Sequence, residues 1–184
     1  MIKRFLKRSV EAFGKTFDYD VTYMTDVLAH NTGAFIKLSL LQPMSQHCVA
    51  LPTAAYYTAK VRAVLREDCG PCTQLCVNMA LKAGVAPAVM RNVVSGEVEQ
   101  LSEDVLLAFR FTEMCLDHGE EDNELRDLVL NCWGKDGLIS LAFVIATCRV
   151  YPTMKYVLGH GQTCQRVVVG SDAIEIQALE VAHV

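Results

Sequence analysis

Apolar residues recur every three or four positions along most of the chain, and strict two-residue alternation is nearly absent before the C-terminal segment. That spacing predicts an all-α protein. Helices are expected near 3–13, 20–29, 34–42 and 52–66, with breaks at Gly14, Gly33, Pro43 and Pro52, the last suited to a first helical turn. The next should begin between Cys69 and Pro71 and stop before Gly84, because Pro favours the first turn and Gly the left-handed residue after a helix. A short helix over 87–94 follows, ended by Ser95 and Gly96, and Ser102 opens another that runs to about His118 before Gly119. Two more are expected over 121–132 and 136–158, separated by Gly134 and closed by Gly159. Beyond Gly159, Arg166–Val169 and Ile174–Gln177 read as extended, or as a tail packing on a neighbour.

Composition narrows the class. The chain has 184 residues, 52% of them hydrophobic and 8% aromatic. That is enough for one domain with a large core, taken as 1–184, with its centre at about 34–160 and a C-terminal tail over 160–184. Its formal charge of −4 provides no global basic field, so nucleic-acid binding is not expected. The most apolar run, Leu138 to Ala146, is about half the roughly 20 residues a membrane span needs. Lys3, Arg4, Lys7 and Arg8 resemble the basic flank of a signal peptide, but Glu11, Lys15 and Asp18 fall where its apolar run belongs. Phe5, Leu6, Val10 and Phe13 are instead expected to dock this first helix on the core. A cytoplasmic, reducing environment follows, and the eight cysteines then read as small buried hydrophobes plus one reactive pair.

The pair is Cys69 and Cys72, flanking Gly70 and Pro71. Eight cysteines placed at random would give about 0.3 pairs at this spacing, so the helix start carries the argument. With Pro71 in the first turn, Cys69 sits at or just before the N-cap, where free backbone N–H groups and the helix dipole favour a thiolate. Cys72 lies within disulfide reach one turn inside. Cys76 extends the sulfurs along one helix face, as a third thiol or a buried small residue. Zinc on Cys69, Cys72, Cys76 and either His47 or Cys48 is the metal alternative, but no second C-x-x-C exists, and no metal is expected. His30, His118 and His160 lie near helix ends, where a His commonly binds a free carbonyl. No phosphate loop, Ser-His-Asp arrangement, or flavin or nicotinamide signature is visible, so no cofactor is expected.

Cys-Gly-Pro-Cys is also the thioredoxin tetrapeptide, but there a strand leads into the motif, whereas Val61, Val64 and Leu65 lie here at helical spacing. Extended downstream through Cys76, Ala80, Gly84 and the 87–94 helix, the motif resembles the C-x-x-C branch of the alkylhydroperoxidase-D-like, or carboxymuconolactone decarboxylase, superfamily. Leu106 to Phe109, the helix from Leu125 to Cys132, and the run from Leu138 through Ile145 and Arg149 to Gly159 extend the resemblance over about 34–160. It implies an oligomeric helical bundle and a dithiol peroxidase or disulfide reductant acting on a hydroperoxide or a protein disulfide. Two family positions differ: the His four residues after the second Cys is Cys76, and the acidic residue twelve before the first is Tyr57. Glu67, two residues before Cys69, is the natural substitute as proton acceptor, while Asp68 competes as a helix cap. Tyr57 is placed to donate a phenolic hydrogen bond. The family assigns attack to Cys72, whereas the dipole argument favours ionisation of Cys69. The alternative is a non-enzymatic oligomeric scaffold or binding module with a degenerate redox site. Decarboxylase chemistry, which lacks its His here, ranks below both.

Overall fold

The computed structural model describes residues 2–118, 123–163 and 166–176. Gly119 as a helix stop, a helix start at 121, Cys164 and residues 177–184 of the tail lie outside the described residues. Helix accounts for 73% of the described residues, which otherwise hold one two-stranded hairpin, and this is the expected all-α character.

The chain runs α1 (Ile2–Phe17), α2 (Thr22–His30), α3 (Thr32–Ser39), α4 (Leu41–Ser45), α5 (Thr53–Leu65), α6 (Gly70–Lys82), α7 (Pro87–Ser95), α8 (Glu103–Asp117) and α9 (Asn123–Val157). Strands β1 (Arg166–Val169) and β2 (Asp172–Glu175) follow. The Pro and Gly punctuation works as expected around α6 and α7: Pro71 and Pro87 sit in first turns, and Gly84 and Gly96 take positive φ at the ends.

Helix α5 is the hub. Ten of its thirteen residues are buried, so it is covered on every side, chiefly by α6, α7, α8 and α9. At its C-terminal end, buried Arg62 and the half-buried C-cap Arg66 share one carboxylate. Arg62 donates to Glu113 on α8 at 2.5 Å and to the Val93 carbonyl at 3.1 Å, and Arg66 grips the other Glu113 oxygen at 2.8 Å. A second, smaller cluster, Val10, Leu28 and Phe35, joins α1, α2 and α3.

Three expected breaks fall elsewhere. Gly14 lies inside α1, where a Cβ would stand 2.9 Å from the Tyr19 carbonyl, so it serves close approach rather than termination. Gly33 lies in the first turn of α3, capped by Asn31, whose side chain accepts from the Ala34 N–H at 2.9 Å. Pro43 lies in the first turn of α4, where its missing N–H breaks no helical bond, and the boundary between α3 and α4 falls at Leu40 instead. Pro52 precedes α5 as its N-cap. Phe5 is not docked: it is 71% exposed, while Val10 and Gly14 carry the buried face of α1.

Gly134 bends α9 through a backbone conformation (φ 63°, ψ −169°) that only glycine adopts readily, at the break the sequence predicts. Over Glu124–Val157, α9 contains an 18-residue window of mean hydropathy 1.5, long and apolar enough by length and composition to cross a membrane. One third of that window is buried. The expected extended runs form a hairpin with Val167 opposite Ile174 and Val169 opposite Asp172. Fully buried Val167 and Val169 pack it on α6 and α7 of its own chain.

Candidate functional site

Cys69 is the N-cap of α6, with extended backbone (φ −109°), and Asp68 before it takes a positive φ of 48°. The cap is therefore Cys69, not Asp68. The Cys69 and Cys72 sulfurs lie 2.7 Å apart, and the residues are 0% and 3% exposed. A hydrogen bond from the Cys72 thiol holds Cys69 down at about 7, against the opposing effect of burial. The Cys72 backbone N–H and the Lys155 ammonium also favour this thiolate, although the N–H falls short of a capping hydrogen bond. Sharing that same hydrogen bond, together with burial, pushes Cys72 up. One proton between two sulfurs thus belongs to Cys72, leaving Cys69 as the ionised member near neutral pH.

Two groups that sequence spacing does not indicate complete the setting. The Tyr19 hydroxyl lies 3.6 Å from the Cys72 sulfur and favours its ionised form. Burial pushes the Tyr19 and Tyr23 phenols up, so both remain protonated at neutral pH. Tyr19 arrives because its N–H donates to the Gly14 carbonyl at 2.9 Å across the side-chain-free face of that glycine. Lys155 of α9 is 1% exposed, with its ammonium 4.9 Å from the Tyr19 ring and 5.4 Å from the Tyr23 ring.

The C-terminal segment straps the outside of α6. The Gly70 N–H donates to the Gln162 carbonyl at 3.1 Å. Farther along, the Gln74 amide pairs with the Val168 backbone in both directions, each bond 2.8 Å. Tyr156 donates to the Asp68 carbonyl at 2.6 Å, tying α9 to the same turn.

Glu67 is directed to α9. Arg149 Nε donates to its Oε1 at 2.5 Å, and the Thr153 hydroxyl donates to Oε2 at 3.3 Å. Cys76, 6% exposed, lies one turn beyond Cys72, and burial pushes its thiol up to about 12. Burial likewise pushes Cys148 on α9 up to about 11. Half-buried Tyr57 packs edge-on against Tyr56, 5.0 Å between centroids, on the side of Lys60. The phenol that meets a thiol of the pair is therefore Tyr19.

Cys72, Cys76, Cys148 and Lys60 all line one partly open cavity of about 350 Å³, whose other walls include side chains of α1, α2 and α3. Buried Lys60 donates to the Ser45 carbonyl at 3.2 Å and to the Tyr56 hydroxyl at 3.1 Å. Its position carried a signal: Tyr56 and Val64, four residues to either side, mark an inward helix face.

Among the described residues no three His, Cys, Asp or Glu side chains converge as a metal site. His47 lies against Phe143, 5.4 Å between centroids, and the Cys48 thiol is directed to the Leu51 carbonyl. His30 Nδ1 lies 3.0 Å from the Asp26 carbonyl one turn back in α2. No family model, curated protein or solved structure matches this chain.

Proposed function

We propose that the chain is a thiol-dependent oxidoreductase in which Cys69 and Cys72 cycle between dithiol and disulfide, reducing a hydroperoxide, as its resemblance to the alkylhydroperoxidase-D-like superfamily implies. The observation that carries this reading is the pair of adjacent buried sulfurs at the N-terminus of α6, 2.7 Å apart, with Cys69 held down at about 7.

Cys72 faces the cavity, so it is the attacking sulfur, and Cys69, already ionised, takes its proton. The Cys72 thiolate attacks the terminal oxygen of the hydroperoxide. The O–O bond breaks, Cys72 becomes a sulfenic acid, and the alkoxide takes a proton from solvent to leave as an alcohol. Cys69 gives up its proton and attacks Cys72, expelling water and closing the disulfide. The dithiol has then lost two electrons and the hydroperoxide has gained two. A protein dithiol resets the pair by exchange. The proton acceptor in this scheme is Cys69 rather than Glu67, whose carboxylate Arg149 and Thr153 hold.

Self-association belongs to the same proposal, because Leu128 and Ile139 on α9 are 49% and 45% exposed. Peroxide-consumption assays on Cys69→Ser and Cys72→Ser decide the matter. Turnover should vanish in both, and wild-type rates in both would end the reading.

A second reading, a non-enzymatic module, is favoured by the complete burial of Cys69 and the strap from Gln162 over the start of α6. It expects Cys69→Ser/Cys72→Ser to leave every property of the protein intact.

A further inference from the structure

Lys60 is 4% exposed, and no carboxylate among the described residues pairs with it. A buried ammonium is costly unless its charge and its three N–H donors are answered. Two hydrogen bonds, to the Ser45 carbonyl and the Tyr56 hydroxyl, use two donors. The rings of Tyr56 and Tyr57, 5.1 and 5.8 Å from Nζ, supply only quadrupoles. The neighbouring sulfurs do not serve as counter-ions either, since Cys76 and Cys148 are neutral thiols near pH 7. A positive charge therefore stands at the wall of the cavity with dipoles for company and no anion.

Much of the cavity's remaining lining is apolar, with Ser9, Ser39, Gln42 and Gln46 among its polar members. Leu6, Val10, Phe35, Leu38, Leu75 and Met79 give it an apolar wall. Its volume of about 350 Å³ lies at the small end of the roughly 300–1,000 Å³ of small-molecule pockets, which suits a ligand of modest length. One ammonium with a single remaining donor fits a monoanionic carboxylate better than a phosphate dianion, which calls for several donors.

We propose that this cavity binds an amphipathic carboxylate of medium chain length, its head group on Lys60 and its tail against the side chains of α1, α2, α3 and α6. The proposal deepens the redox reading, on which its substrate aspect rests. Because Cys72 shares the cavity, the hydroperoxide reduced at that sulfur is one that carries a carboxylate.

The test uses decanoate and decan-1-ol with the full-length Cys69→Ser/Cys72→Ser protein, so that binding is read by calorimetry without turnover. Decanoate should bind one per chain and about tenfold or more tighter than the alcohol, the margin expected of a charge-assisted hydrogen bond. In Lys60→Met, decanoate affinity should fall to that of the alcohol, with alcohol binding unchanged. If Lys60→Met does not fold, the comparison of the two ligands on the lysine-bearing protein still decides. Equal affinities, or no binding of either, would overturn the site. If decanoate fails to bind while wild-type protein consumes peroxide, the carboxylate proposal falls and the redox reading stands. Tight decanoate binding to a protein without peroxide turnover has the reverse meaning.

Discussion

The hydroxyl of Tyr19 lies 3.6 Å from the sulfur of Cys72, across 53 residues of sequence. In Tyr19→Phe the ring remains between Phe13 and Tyr23 while the hydroxyl is lost. The Cys72 thiolate loses a donor, its pKa rises further, and peroxide attack should slow about three- to tenfold. Stopped-flow oxidation of the reduced variant measures this, and an unchanged rate would remove Tyr19 from the site.

The two thiols should titrate far apart. Thiolate ultraviolet absorbance of the reduced protein, set against Cys69→Ser, should show one ionisation near 7 belonging to Cys69. Stability follows with a defined sign. Cys69 lies below its ordinary value of 9, so its contribution is present above about pH 9 and is lost as pH falls through about 7. Cys72 is raised, so its contribution is present below the ordinary thiol value and declines above it. Relative to Cys69→Ser/Cys72→Ser, reduced wild type should gain stability from pH 7 to 9 and lose it beyond. Denaturant melts at fixed pH values check this, and a flat difference would mean an ordinary pair.

Glu67→Gln separates a positioning role from proton transfer. Arg149 is 38% exposed at its side chain, so breaking the pair should cost only about 1 kcal/mol. Turnover should stay within about twofold and its pH profile should not move, because Cys69 takes the proton. A rate lowered in step with a shifted acidic limb would restore Glu67 as the acceptor.

Gln74→Ala removes both bonds to Val168 and should loosen the hairpin locally by about 1–2 kcal/mol. Hydrogen exchange should quicken at Val168, and at Gly70 whose N–H is held by Gln162, with α5 unaffected. Protection unchanged at Val168 would show that burial of Val167 and Val169 holds the strap by itself.

Much of the fold was legible because its cause is local. Apolar spacing gives the helices, and Pro71, Gly84, Pro87, Gly96 and Gly134 act through their own backbone preferences, so their effects follow from the residue type. The same locality makes the placement of Cys69 at a helix start and Cys72 one turn inside readable without a structure. Gly14 and Gly33 misled for a related reason. Glycine is permissive, and whether it ends a helix or admits a neighbour depends on what packs there.

What the sequence determined by itself is therefore the all-α character, most element boundaries and the sulfur pair at its helix terminus. Tertiary structure alone decided which side chains surround the sulfurs. Tyr19 meets Cys72 from 53 positions away and Lys155 acts on the thiolates through its charge from 83 positions away, while Glu67, almost adjacent in sequence, is drawn to Arg149 on α9. Helix periodicity fixes which face a residue occupies. Which face of which other helix it meets depends on how the whole core packs, and that packing sets the charge and hydrogen bonding around the thiols.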